Sequence, residues 1–128
     1  AEVSGPLAVA ALDELPLVAV LGALGEGVTV VRDARELRAK ESDRIESTVN
    51  MIRSLGGGAE ATEDGFTVVG TGWLEPGTVA SESDHRIAMS AAVAATGATG
   101  PVTIEDAEVA AVSWPGFYEQ LEAVWSSQ

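Results

Sequence analysis

Apolar residues gather along the chain into segments whose spacing predicts alternating helices and strands. Residues 13–27, "DELPLVAVLGALGEG", are apolar on nearly every helical face, which predicts a buried helix with Asp13 as its N-cap and Gly25 or Gly27 at its end. Residues 28–31, "VTVV", are all β-branched and predict a short strand. The pattern therefore begins with a buried helix followed by a strand.

A different pattern begins after residue 41, where the apolar positions lie on one helical face only. Residues 42–56 predict an amphipathic helix that begins at Ser42, ends at Gly56 and covers a sheet or another helix. Residues 59–70 then predict a β-hairpin with Asp64 and Gly65 in its turn. The apolar stripe of the predicted helix consists of Ile45, Val49, Ile52 and Leu55.

The second half of the chain has the same succession of patterns. Residues 84–97 predict another helix that is apolar almost all round, capped by Asp84 or Ser83. Residues 101–107 predict a strand, and a last helix is predicted after a cap at Ser113. The apolar stripe of this last helix consists of Phe117, Leu121 and Val124.

The order helix, glycine, strand, loop and serine-capped helix thus occurs twice, at an offset of roughly seventy residues. The strand regions also resemble each other, "GVTVVRDA" at 27–34 and "PVTIEDA" at 101–107. The repeat predicts an α/β fold made of two related units, at about residues 7–70 and 71–128. Ordinary alternation of helices and strands explains the same order equally well, so both interpretations stay open.

Composition and charge narrow the class of protein. With 128 residues, 46% of them hydrophobic, the chain can bury a core as a single domain. A formal net charge of -13 argues against nucleic acid or an anionic membrane as its partner. The chain has no cysteine, and its apolar runs are broken before membrane-spanning length. We therefore expect a cytoplasmic protein, in which any anionic ligand needs a local positive site.

Four of the seven Lys and Arg residues lie within ten positions, at Arg35, Arg38, Lys40 and Arg44. Positive charge at a helix start interacts unfavourably with the helix dipole, and an anion bound there would compensate for this interaction. Arg44 would then pair with a carboxylate or phosphate, and Lys40 with a hydroxyl or phosphate. The alternative is a solvated face on which these cations pair with their acidic neighbours Glu41, Asp43 and Glu46.

Two further positions could carry chemistry. His85, the only histidine, stands beside Arg86 at the start of a buried helix, where the pair could bind or orient an anion. Asp13 is either a helix cap or a carboxylate suited to proton transfer. One histidine and no cysteine argue against a metal site, so we expect neither a metal nor a cofactor.

The segments "DELP", "ELRAKESDRI", "DHRIAMS" and the late "SWPGFYEQLEAV" together resemble the C-terminal part of the 3-phosphoshikimate 1-carboxyvinyltransferases, or EPSP synthases, of the shikimate pathway of aromatic amino acid biosynthesis. The resemblance implies an α/β (α+β) fold, part of one lobe of the enolpyruvyl transferase fold, with repeated βαβαββ units and buried helices. It also implies transfer of the enolpyruvyl group of phosphoenolpyruvate to the 5-hydroxyl of shikimate 3-phosphate, with release of phosphate.

The same resemblance implies a role for each matching residue. Asp13 corresponds to the carboxylate that contacts the 5-hydroxyl and accepts its proton, and Lys40 to a ligand of shikimate 3-phosphate. Glu41 corresponds to the acid that protonates and deprotonates the enolpyruvyl methylene. The cations that bind phosphoenolpyruvate correspond to Arg44 and Arg86, with His85 as a supporting group.

Members of this family are far longer, and their active site lies between two lobes. We therefore expect the 128-residue chain to need the missing N-terminal lobe and to be inactive by itself, and apolar surface left uncovered could cause self-association. The alternative function is a non-catalytic module that keeps the fold and binds an anion or another protein.

Overall fold

The computed structural model describes residues 1–105, in which helices and strands alternate. Its α-helices are α1 (Gly5–Ala10), α2 (Leu15–Leu24), α3 (Arg44–Ser54) and α4 (His85–Ala95). Two short 3-10 helices span Leu12–Glu14 and Arg35–Ala39. The strands are β1 (Glu2–Val3), β2 (Glu26–Val31), β3 (Gly58–Ala61), β4 (Phe66–Thr71), β5 (Gly77–Ala80) and β6 (Val102–Glu105). The predicted α/β class is confirmed.

The strands form two sheets. The larger has the order β1-β2-β4-β3, with β1 parallel to β2 and the other neighbours antiparallel, while β5 and β6 form a parallel pair. The predicted hairpin is β3 and β4, joined by a turn in which Thr62 donates its N–H to the carbonyl of Gly65. A Cβ on Gly65 would lie 1.8 Å from the carbonyl oxygen of Val31, so only glycine lets this turn reach the end of β2.

The predicted stripe of α3 is confirmed, because Ile45, Val49, Ile52 and Leu55 are all buried. α3 packs on β3, β5 and α2, and α2 packs in turn on β4 and α4. The core therefore lies between the four-stranded sheet and the helices, and the starts of α3 and α4 come together at one end of it.

The prediction that α2 is buried on all sides is wrong for one face. Leu21 is 58% exposed, and Leu17 and Val18 are half-buried. The helix buries the face that contains Ala19 and Val20, which points toward β4 and α4. An all-apolar helix has no polar stripe to show which face is free, so the pattern could not distinguish its two sides.

Two predicted helix caps are also wrong. Asp13 lies inside the 3-10 helix Leu12–Glu14, which runs directly into α2, and no side chain caps α2. Ser42 does not cap α3, because Asp43 occupies the N-cap and accepts the N–H of Glu46 at 3.3 Å. At α4 the cap is Asp84, one of the two predicted residues. The side chains of Asp13 and Ser42 are thereby available for other contacts.

The second half of the chain is described only in part. β6 lies within the predicted strand 101–107, while the predicted helix after Ser113 lies outside the described residues. The division into units at 7–70 and 71–128 stays a prediction. Sequence patterns did not predict α1, β1, β5 or the 3-10 helix Arg35–Ala39. Among residues 1–105, no helix is both long and apolar enough to span a membrane.

Candidate active site

Charged side chains from four segments meet where α3 and α4 begin. Asp13 comes from the 3-10 helix before α2, and Lys40 and Glu41 follow the 3-10 helix Arg35–Ala39. Arg44 is the first residue of α3, and His85 is the first residue of α4. The structure thus brings together five of the six residues predicted as a site, in a continuous set of ion pairs that runs from Lys40 to His85.

The centre of this set is a buried ion pair between Arg44 and Asp84. The Arg44 side chain is 3% exposed and that of Asp84 is 0% exposed. Arg44 donates from Nε to Asp84 Oδ2 at 2.8 Å and from Nη2 to Oδ1 at 3.0 Å, a bidentate arrangement. This pair joins α3 to α4 directly.

Asp84 accepts further hydrogen bonds that fix its carboxylate. The Ser42 hydroxyl donates to Oδ2 at 2.9 Å, and the N–H of Arg86 donates to Oδ1 at 3.0 Å. Burial alone would raise the pKa of Asp84, but the hydrogen bonds and the charge of Arg44, with the other donors, hold this pKa below its ordinary value. Asp84 therefore stays ionised and acts as the fixed counter-ion of Arg44.

Asp13 lies between two cations on the solvent side of this pair. Arg44 donates from Nη1 to Asp13 Oδ1 at 3.3 Å, and Lys40 Nζ lies 3.9 Å from the same oxygen. The Asp13 side chain is 48% exposed and that of Lys40 is 32% exposed. Asp13 is thus open to water, and to a ligand, on the side that faces away from the buried pair.

Glu41 pairs with the only histidine of the chain. Its two carboxylate oxygens lie 2.7 and 2.8 Å from Nδ1 of His85, and Oε2 also accepts the His85 backbone N–H at 3.3 Å. Arg44 Nη2 lies 3.9 Å from Glu41 Oε1. With Nδ1 engaged by Glu41, Nε2 is the imidazole atom left to meet a ligand.

Arg86 is the predicted residue that the ion-pair set does not include. Within residues 1–105, its guanidinium has no hydrogen bond and no ion pair. It lines a cavity of about 270 Å³ together with Asp13, so it stands beside the set and not in it. The remaining lining residues are Glu14, Leu17, Met89, Ser90 and Val93.

Ligand atoms of Glu41, Asp84 and His85 lie within 4.8 Å of one another, which is close enough to consider a metal ion. Both oxygens of Asp84 already accept from the Arg44 guanidinium, so a cation here would have to displace Arg44 from a buried pair. The donors at this cluster suit an internal ion pair better than a metal.

Sequence reasoning missed the network that supports these groups. The sequence predicts only helix-cap roles for Asp84 and Ser42. The Ser47 hydroxyl donates its one proton to the carboxylate of Glu82, and its oxygen lies 2.9 Å from the Ser42 hydroxyl oxygen. Glu82 and Ser83 both have positive φ, 55° and 58°, just before α4. The available signal was that Asp84, a carboxylate, opens an apolar helix in a chain whose other helix start carries a cation, Arg44.

Comparisons with known proteins bear on this site. A family model described as EPSP synthase (3-phosphoshikimate 1-carboxyvinyltransferase) matches residues 8–121. The 3-phosphoshikimate 1-carboxyvinyltransferase of Syntrophotalea carbinolica is 47% identical over 123 residues, which cover 96% of this chain and 28% of that protein. The protein of the same name from Geobacter sulfurreducens is 46% identical over 96% of this chain and 29% of its own length.

A solved structure gives a similar result. The EPSP synthase from Acinetobacter baumannii matches with a TM-score of 0.87 and 37% identity, over 91% of this chain and 28% of that chain. The chain therefore spans less than a third of the length of the relatives it matches.

Proposed function

Because the chain belongs to the EPSP synthase family, we propose that it supplies one wall of the active site of a 3-phosphoshikimate 1-carboxyvinyltransferase. The reaction would transfer the enolpyruvyl group of phosphoenolpyruvate to the 5-hydroxyl of shikimate 3-phosphate, in the cytoplasm. The observation that carries the proposal is the convergence of Asp13, Lys40, Glu41 and Arg44 from separate segments on one end of the core.

Both substrates are anions, and the cations of this wall suit them. Arg86 faces a cavity beside Asp13, and Lys40 keeps about a third of its side chain exposed. Arg44 is almost fully committed to Asp84, so only Nη1, which now faces Asp13, would turn toward phosphoenolpyruvate. We infer that Arg86 and Lys40 make the direct contacts with phosphate or carboxylate, while Arg44 orients Asp13 and contacts phosphoenolpyruvate at one edge.

The carboxylates supply the proton transfers that the reaction needs. Asp13 would accept the proton of the 5-hydroxyl as the hydroxyl oxygen bonds to C2 of phosphoenolpyruvate, while Glu41 gives a proton to C3. Glu41 would then remove a proton from the resulting methyl group as the C2–O bond to phosphate breaks, which restores the double bond. The proton held by Asp13 would leave with the departing phosphate, so both carboxyl groups return to their starting states. His85, at 2.7 Å from Glu41, would keep this carboxylate oriented through both steps.

We propose further that the 128 residues alone do not turn over substrate, because the wall needs an opposing lobe to enclose the substrates. The chain spans 28% of its relative from Syntrophotalea carbinolica, which supports this view. Phosphate release by the purified chain in the presence of both substrates would contradict it.

Substrate binding is tested by titrating the chain with phosphoenolpyruvate and with shikimate 3-phosphate while recording amide shifts. We expect shifts at residues 40–44 and 84–87. The variant Arg86→Gln should lose the response to phosphoenolpyruvate, because it removes the cation that lines the cavity. The matched control is Arg35→Gln, which removes an exposed arginine paired with Glu63 in the same basic segment and should respond as the parent does.

Three outcomes separate the alternatives. Responses at both stretches that depend on Arg86 support the proposal. An equal response to inorganic phosphate, with none to shikimate 3-phosphate, would favour the non-catalytic anion-binding module. No response at either stretch, at concentrations well above those an intact enzyme needs, would overturn substrate binding by this wall.

A further inference from the structure

Arg38 makes an extensive set of hydrogen bonds outside the ion-pair set. It lies on the 3-10 helix Arg35–Ala39, two residues before Lys40. Its Nε donates to the carbonyl of Glu63 at 2.9 Å, and its Nη2 donates to the carbonyl of Thr62 at 2.5 Å. Its Nη1 donates to Asp43 Oδ2 at 2.9 Å and to Glu46 Oε2 at 3.3 Å. The guanidinium thus joins the hairpin turn between β3 and β4 to the first turn of α3.

These contacts lie on both sides of the segment that carries the proposed chemistry. Residues 40–42 belong to no helix or strand, so the contacts of Lys40, Glu41 and Ser42 with the rest of the site depend on how the flanking residues hold this backbone. The bond from Arg38 to Asp43 closes a short loop around them. Asp43 uses its other oxygen, Oδ1, to cap α3, so the same carboxylate links Arg38 to the backbone of the first turn of α3.

The hairpin turn is a firm point of attachment. The N–H of Ala34 donates to the carbonyl of Asp64 at 2.8 Å, and the N–H of Asp33 donates to the Asp64 carboxylate at 3.0 Å. Gly65 lies directly against the end of β2. A guanidinium with five donors in a planar fork can bind two carbonyls and two carboxylates at once, which an ammonium group cannot do with the same geometry.

We propose that Arg38 is a positioning residue, which holds Lys40 and Glu41 in place by joining the β3–β4 turn to the start of α3. The inference rests on the proposed function, because it gives Lys40 and Glu41 their importance. Within residues 1–105, Arg38 has no hydrogen bond or ion pair with Asp13 or His85 and does not line the cavity, so it acts through the backbone of residues 40–42 and not by contact with a substrate.

The single histidine provides a direct test, since its imidazole resonances report the contact with Glu41 without overlap. In Arg38→Gln, we expect the His85 imidazole signals to move toward those of Glu41→Gln, in which the carboxylate partner is absent. The matched control is Arg35→Gln, from the same 3-10 helix. Arg35 makes an exposed hydrogen bond to the side chain of Glu63, and not to the backbone of the hairpin turn. Its His85 signals should stay at the parent positions.

A substrate titration accompanies the NMR measurement. We expect shikimate 3-phosphate to bind Arg38→Gln at least about fivefold more weakly than it binds Arg35→Gln, because Lys40 loses its fixed position. If Arg38→Gln does not fold, Arg38→Lys takes its place with the same criteria, since it keeps the charge and loses the fork.

The two readouts distinguish the inference from the function on which it rests. Displaced His85 signals in the Arg38 variant support the positioning role, whether or not a substrate binds. Parent-like His85 signals in a folded Arg38 variant would overturn it, even if shikimate 3-phosphate still binds. If no protein in the series binds either substrate while the His85 signals move, the proposed function fails and the positioning role stands.

Discussion

The substitution Asp84→Asn should strongly lower the stability of the chain. The variant keeps the size of the side chain but removes the counter-ion of Arg44. Arg44 is 3% exposed and therefore cannot regain water to compensate. Removing one partner of a buried pair costs about 3–5 kcal/mol, because the remaining charge stays buried and unpaired.

The structure favours the lower end of this range. Asp13 and Glu41 lie 3.3 and 3.9 Å from Arg44 and continue to offset its charge, although both are half exposed and screened by water. The asparagine oxygen can also accept the N–H of Arg86 and preserve the cap of α4. We therefore expect a loss of about 3 kcal/mol in the free energy of unfolding.

Urea unfolding followed by circular dichroism measures this loss. With a slope of about 1–3 kcal/mol/M, the midpoint should fall by roughly 1–3 M. The control Glu63→Gln removes a carboxylate from the exposed pair with Arg35, and should change the free energy of unfolding by less than about 1 kcal/mol. If the two variants lose the same small amount, the buried pair does not carry the stability that we assign to it.

A double-mutant cycle isolates the pair itself. Arg44→Met alone leaves Asp84 buried without its main partner, so it too should be strongly destabilising. The double variant should lose less than the sum of the two single losses, by at least about 1 kcal/mol. Additive losses would mean that Arg44 and Asp84 are not coupled energetically.

Three further results follow from burial, charge and backbone contact. Because the pKa of Asp84 is below its ordinary value of 3.8, its contribution to the free energy of unfolding is complete above about pH 5 and is lost as the pH falls below 3.8. Urea unfolding at a series of acidic pH values should therefore show the stability difference between the parent and Asp84→Asn narrowing over that range. In the same assay, Ile52→Ala should lower the free energy of unfolding by about 2–5 kcal/mol and Leu21→Ala by less than about 1 kcal/mol, because Ile52 is buried and Leu21 is 58% exposed. Similar losses would contradict the exposed face assigned to α2. Gly65→Ala places a Cβ 1.8 Å from a backbone oxygen and should lower the free energy of unfolding by at least about 1 kcal/mol. The control Gly58→Ala should be tolerated, because its Cβ would lie 3.5 Å from the nearest atom. Equal thermal unfolding midpoints for the two variants would rule out the tight turn.

The sequence predicted well where one local pattern decides the structure. The stripe of α3 has a clear polar face, so the periodicity of Ile45, Val49 and Ile52 gave both the helix and its buried side. The hairpin at β3 and β4 followed from Asp64 and Gly65 in a turn between two short strand segments. Even here the cap of α3 was displaced by one residue, because Ser42 and Asp43 have similar preferences for that position.

What the sequence could not give was the choice of partners across long separations. Asp13 looks like a helix cap when read locally, and only the approach of Arg44 assigns it to the ion-pair set. Asp84 looks like a cap as well, and it is one, but it also neutralises Arg44. No spacing rule connects residues on two helices. Charge and helix position therefore left an alternative open for each of the other candidates, and Glu41 entered the predicted site only through the resemblance to a family.

The ion-pair set has a consequence for the order of events in folding. Its contacts join residues 31, 40 and 44 positions apart, as in Asp13 with Arg44, Arg44 with Asp84, and Glu41 with His85. Contacts of this kind require long chain segments to be ordered first, so they form late. During refolding, the signal of His85 beside Glu41 should therefore appear only after α3 and α4 have docked. The proposed ligand-binding charges would then mark the completion of folding, and a partly folded chain would present no competent site to a substrate.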